Sequence, residues 1–171
     1  MRGWERISLT DLARLARPAL ESSTRPHKFH AEPCLVAPDG TLFTLSDITT
    51  AEQTCPKELH DGTLQQRAER LGIHGLWFAS KKEAQRYLEL KAFERIDAIS
   101  NLRCQVEFDL TVISKVDERE IKIGVYVADF VYRRTGETQL VIEDTKGMKT
   151  PLYKRSRRHF EAQYGLRILE T

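Results

Sequence analysis

The sequence has no apolar run approaching the roughly 20 residues that cross a bilayer. Its opening, MRGWERISLTDLARLAR, has no uninterrupted apolar stretch of the kind that forms a secretory leader. The expectation is a cytoplasmic protein with no membrane partner. Cysteine is scarce. Cys34, Cys55 and Cys104 are odd in number and widely spaced, and they fit neither a zinc spacing nor a disulfide framework. Reduced thiols in the cytosol are expected. His27, His30, His60 and His74 form no ligand spacing. Internal repeats and low-complexity tracts are also lacking. The net charge is only +2, too small by itself to name a partner.

What is present is enough for a core. Hydrophobic residues make up 40% and charged residues 30% of 171, an ordinary globular balance for one decorated domain or two small ones. In residues 1 to 20, Leu9, Leu12, Leu15 and Ala16 recur at helical spacing behind Ser8 or Thr10, and Pro18 would end that helix. Residues 21 to 63 are poorly patterned and carry four of the six prolines. There PDGTLFTL offers a turn and one short strand, half of a hairpin. Gln65 to Leu71 fits a helical turn or two.

The second half reads more clearly. Ser80 to Arg95 has helical spacing, and Gln105 to Ile113 alternates with Val106, Phe108, Leu110 and Val112 on one face. Glu120 to Tyr132 is apolar on both faces, as a central strand is. Gly136 turns it into a strand over Thr138 to Lys146. Thr150, Pro151 and Gly165 bracket a helix, and Leu166 to Leu169 forms a last strand. The order helix, strand, strand, strand, helix, strand predicts an α/β (α+β) core with a mixed central sheet. Residues 1–72 would be an N-terminal extension and 73–171 the core.

Charges at the strand ends stand out. Strand alternation puts Asp129 in a row with Ile121, Ile123, Val125 and Val127, and puts Asp144 and Lys146 in a row with Leu140 and Ile142. Positions 129 and 144 are about equally far from the Gly136 turn and are expected to be neighbours across the hairpin. Two close carboxylates call for a positive partner, either Lys146 or a divalent cation. Mg²⁺ takes hard oxygen ligands, commonly one or two carboxylates with phosphate and water. The other reading is a structural ion pair with Lys146. Glu143, on the opposite face, supports the site from behind or faces solvent, and becomes a ligand if the strand bulges.

Glu83 opens the 80–95 helix in a Ser-x-x-Glu pattern, which reads as a capping box. It is also placed to be a further metal carboxylate, with Lys81, Lys82 and Arg86 meeting phosphate. From Lys146 to Phe160 six basic residues occur without an acid: Lys146, Lys149, Lys154, Arg155, Arg157 and Arg158. This run suits a phosphate backbone beside a metal site, or equally a solvated helix face. Tyr153, Ser156, Phe160 and Tyr164 form that helix's core stripe, and His159 beside them reads as structural.

Together, FASKKEAQRYLELK, LRCQVEFDL, YVADFVY and VIEDTKG followed by TPLYKRSRRHFEAQYG resemble a phage-associated family of the PD-(D/E)XK nuclease superfamily. The opening WERISLTDLARL is similar to that family's N-terminus, whereas residues 22 to 70 are an extra segment. The resemblance implies a restriction-endonuclease-like αβββαβ core that cuts DNA with Mg²⁺ or Mn²⁺. By position, Glu83, Asp129 and Asp144 would hold the metal and Lys146 would assist the attacking water. Ala128-Asp129 replaces the family's Pro-Asp.

The set is also similar to archaeal-type Holliday-junction resolvases, which implies a homodimer acting on branched DNA in the cytoplasm of a bacterial host. Lys81, Lys82, Arg86, Lys149, Lys154, Arg155, Arg157 and Arg158 would contact the DNA backbone. A less selective phage nuclease and a non-catalytic DNA-binding protein on the same scaffold are the alternatives.

Overall fold

In the computed structural model, residues 17–18, 32–53, 62–145 and 148–171 are described. The chain divides into two units, Thr24–Ala92 and Met1–Ser23 with Phe93–Thr171.

The larger unit contains β1 (Arg17–Pro18), then β5 (Ile99–Ile113), β6 (Glu120–Arg134), β7 (Leu140–Asp144), α4 (Pro151–Tyr164) and β8 (Ile168–Glu170). The sheet order is β1-β5-β6-β7-β8. All neighbours are antiparallel except β7 and β8, which run parallel, so the sheet is mixed. A parallel return needs a crossover, and α4 supplies it. Thr150 caps α4 by accepting from the Tyr153 amide at 3.2 Å. Gly165 ends it in the left-handed conformation (φ 65°), which favours glycine.

Residues 17 and 18, expected at the end of a helix, lie instead in β1, where Arg17 pairs with Glu107 and Pro18 with Val106. A proline is tolerated there because β1 is the edge of the sheet. Residues 1 to 16, where that helix was expected, lie outside the described residues.

One face of the sheet packs on α4. Val106, Phe108 and Leu110 pair with Ala128, Tyr126 and Gly124. Phe160 and Tyr164 of α4 complete that core. Phe160 lies 5.1 Å from Phe108 and 4.9 Å from Tyr126, ring centre to ring centre. The α4 side chains also satisfy β5 backbone. Tyr164 donates to the Asp109 carbonyl at 2.8 Å, and Gln163 accepts from the Thr111 amide at 2.9 Å. His159 Nε2 lies 2.8 Å from the Thr111 carbonyl, a structural place as expected.

The apolar row expected on β6 is corrected by a bulge. Leu110 pairs with Gly124 but Thr111 pairs with Lys122, so Ile123 is the extra residue and alternation breaks there. Ile121 consequently pairs with Val112 and does not continue the row of Val125, Val127 and Asp129. Ile121, Ile123 and Val125 are 43%, 52% and 39% exposed. β6 is central in order, but only its second half is buried.

The smaller unit holds a complete hairpin, β2 (Cys34–Val36) with β3 (Leu42–Thr44), where half of one was expected. Helices α1 (Leu45–Gln53) and α2 (Leu64–Arg70) follow, and β4 (Leu76–Phe78) pairs antiparallel with β2. Leu35, Ile48 and Ala68 form its core with Phe43, Ile73 and Trp77 packed around them. Glu52 of α1 and Arg67 of α2 make a bidentate ion pair, with Glu52 only 4% exposed. Gly75 has a steric reason, since a Cβ there would meet the Val36 carbonyl oxygen at 2.1 Å. Helix α3 (Lys81–Arg95) begins in this unit and crosses the division.

Candidate functional site

The β6–β7 hairpin turns at Gly136, whose φ of 82° suits glycine. Its pairing runs from Arg133 with Leu140 to Phe130 with Glu143. Asp129 and Asp144 are the next residue on each strand, one position beyond the last pair of the ladder. Both are buried, Asp129 at 3% and Asp144 at 0% exposure.

Each carboxylate is held by neighbours. Asp129 accepts from the Thr145 amide at 2.7 Å and from the Gln105 side chain at 3.5 Å. Gln105 lies in β5 between the residues paired with Phe130 and Ala128, and its φ of 52° is in the left-handed region. Asp144 accepts from the Tyr126 hydroxyl at 2.7 Å. Burial, and then the Asp144 charge, push the Tyr126 phenol far above its ordinary range, so it remains a proton donor. Gln105 and Tyr126 fall within the segments LRCQVEFDL and YVADFVY, but no spacing singles either out. Gln105 reads as one polar residue of an alternating strand, and Tyr126 as part of the core.

Glu143 faces no solvent. It is 0% exposed and accepts from Tyr132 at 2.9 Å and Thr171 at 3.0 Å. This corrects the solvent-facing option. Lys146, expected on the same row as Asp144, lies outside the described residues. Glu83 is 0% exposed and shows one half of the expected capping box, its carboxylate turning to the amide before the Ser80 cap. Its amide donates to Ser80 Oγ at 3.2 Å and its carboxylate accepts from the Ala79 amide at 3.2 Å.

The donor set can be tested against a metal. Among the described residues no group of three or more His, Cys, Asp or Glu side chains is gathered to hold an ion. Asp129 and Asp144 alone are a pair of hard oxygen donors, which is the set Mg²⁺ commonly takes from a protein when phosphate and water complete its shell. The Thr145 hydroxyl beside them is buried and has no hydrogen-bond partner among the described residues.

The family described as protein of unknown function (DUF1064) matches residues 64–169, more than half of the chain. The chain belongs to that DUF1064 family. Neither the curated proteins nor the solved structures yielded a match. Both candidate carboxylates, Glu83 and all eight basic residues expected to meet DNA lie within the DUF1064 segment.

Those basic residues divide into two groups. Lys149 pairs with Glu170, and Arg157 pairs with Glu170 at 2.8 Å and with Glu161 at 2.9 Å. Arg86 pairs with Glu89 at 2.7 Å. Lys81, Lys82, Lys154, Arg155 and Arg158 are exposed. Glu170 is the register partner of Asp144 and also accepts from Tyr153 at 3.0 Å. The Lys149 ammonium, with Tyr153 and Arg157 assisting, holds the Glu170 carboxyl below its ordinary range.

Proposed function

We propose that this DUF1064 chain is a metal-dependent endodeoxyribonuclease acting on branched DNA, a Holliday-junction resolvase that works as a homodimer in the bacterial cytoplasm. The observation that carries this reading is the placement of Asp129 and Asp144. Two carboxylates, both buried, stand on adjacent positions of one hairpin and are held by Thr145 and Tyr126. Burying two such charges together is costly unless a cation neutralises them. The element order and the D-T-K sequence over residues 144–146 support the PD-(D/E)XK resemblance.

In this reading Asp129 and Asp144 would hold Mg²⁺ or Mn²⁺. The cation supplies Lewis acidity at the scissile phosphate. Lys146 orients the attacking water and helps remove its proton. Water adds to phosphorus, the P–O bond to the leaving sugar breaks, and the strand ends in a phosphate and a hydroxyl. Lys81, Lys82, Lys154, Arg155 and Arg158 meet the DNA backbone, with Arg86, Lys149 and Arg157 joining them by leaving their acidic partners. A two-fold dimer makes paired, symmetric cuts.

A second reading is favoured by the bonds Asp129 accepts from Thr145 and Gln105. There the carboxylates fasten strands, and the chain binds DNA without cutting it. One experiment separates the readings. The protein is incubated with a synthetic four-way junction, linear duplex and single strand, in Mg²⁺ and in chelator. The resolvase reading expects paired nicks in the junction in Mg²⁺ alone. Equal cutting of all three contradicts the junction preference, and salt-dependent binding without products supports the scaffold reading.

A further inference from the structure

The Asp144 carboxylate is connected to the far side of the core through one side chain. Tyr126 is 4% exposed, and its ring sits among the aromatics under α4. Phe160 lies 4.9 Å from it, and Phe160 is itself wedged between Phe108 at 5.1 Å and Tyr164 at 4.9 Å. Phe108 and Phe160 are fully buried. A ring seated this way has one orientation, so the position of its hydroxyl oxygen is set by packing. That hydroxyl ends 2.7 Å from Asp144 Oδ2, a length suited to a strong phenol–carboxylate bond.

Tyr126 and Asp144 are 18 residues apart on adjacent strands, and they are not rung partners. Strand pairing alone therefore does not dictate the contact. A phenylalanine would fill the same apolar seat without needing a buried acceptor. The hydroxyl is a polar group that the core does not require, and its observed use is to bind Asp144.

We infer that Tyr126 is a positioning residue that fixes the Asp144 carboxylate for metal binding, so that the packing of α4 sets the affinity of the site. The inference rests on the nuclease reading of Asp129 and Asp144. Outer partners of ligating carboxylates act in this way, by freezing the ligand's rotamer before the ion arrives. Asp144 then enters binding with its oxygens already directed, and less rotamer freedom is lost on complex formation.

The test is Tyr126→Phe in the full chain, titrated calorimetrically with Mn²⁺ in the absence of DNA, beside Asp144→Asn and the parent. Tyr126→Phe is expected to weaken Mn²⁺ binding about tenfold. In a junction-cleavage assay its half-saturating Mg²⁺ rises by a similar factor, while the rate at saturating Mg²⁺ stays close to the parent's. A purely structural tyrosine would lower the melting temperature and leave Mn²⁺ affinity unchanged. Phe160→Leu keeps hydroxyl and carboxylate but loosens the ring's seat. It is expected to weaken Mn²⁺ binding in the same direction, and it serves as the test should Tyr126→Phe not fold.

Unchanged Mn²⁺ affinity in folded Tyr126→Phe, with binding lost in Asp144→Asn, overturns the positioning role and leaves the site reading intact. Unchanged affinity in Asp144→Asn overturns both.

Discussion

The amide of Thr145 donates to the carboxylate of Asp129 at 2.7 Å, tying the end of β7 to the middle of β6. The bond is buried, with Thr145 and Asp129 each 3% exposed. It makes Asp129 at once a structural acceptor and a candidate metal ligand, and the two roles separate by substitution.

Asp129→Ala leaves a buried amide without its acceptor and is expected to destabilise the protein by about 1–3 kcal/mol. Asp129→Asn keeps an oxygen for Thr145 and is expected to cost less, while losing the charge a divalent cation needs. Urea unfolding and junction cleavage measured on both variants check this. Stability lost mainly in the alanine form and cleavage lost in both is the expected pattern.

Glu170 is a pH-dependent fastener. Lys149, Tyr153 and Arg157 hold its carboxyl below the ordinary range. A depressed folded-state value means that the stabilisation is present above the unfolded-state pKa of about 4.3 and is lost as pH falls through the folded value. Glu170→Gln is therefore expected to lower the melting temperature at neutral pH, with the gap to the parent closing below about pH 4. Melting curves from about pH 3 to about pH 7, which span the range where carboxyls titrate, test this. A gap that is constant with pH contradicts it.

Arg67 and Glu52 join α1 to α2 through a pair in which the carboxylate is 4% and the guanidinium 23% exposed. Breaking a fully buried pair costs about 3–5 kcal/mol, and the partial exposure of Arg67 reduces that to about 2 kcal/mol for Glu52→Ala. Chemical denaturation measures the loss. Hydrogen exchange is expected to quicken first in α1 and α2.

The exposed bases of α4 are the residues proposed to meet DNA. Replacing Lys154, Arg155 and Arg158 together by alanine is expected to weaken binding to every DNA form. The slope of log affinity against log salt is expected to flatten by about 0.9 for each phosphate that is no longer neutralised. An unchanged slope in a fluorescence-anisotropy titration assigns these residues to a solvated face.

The larger unit was legible because its signals are periodic and punctuated. Gly136, Thr150, Pro151 and Gly165 each have one favoured place, alternation located β5, and apolarity on both faces located β6. The row running from Ile121 to Asp129 failed because a bulge is one inserted residue, and Ile123 has no composition that announces it. Helix α1 was missed for a different reason. Its buried positions are Ile48 and Glu52, and a buried glutamate looks like surface until Arg67 is seen to pair with it. The capping reading of Glu83 depended only on local spacing and was accessible. The contacts of Tyr126 and Gln105 depend on which strands meet and where the chain leaves the ladder. No local pattern carries that information.

The most direct measurement is cleavage of a synthetic four-way junction in Mg²⁺ by the parent protein and by Asp144→Asn, with folding of both verified by circular dichroism. Paired nicks are expected from the parent, none in chelator, and none from the folded variant. Full cleavage by Asp144→Asn, or a folded parent that binds the junction and never cuts it, contradicts the nuclease assignment.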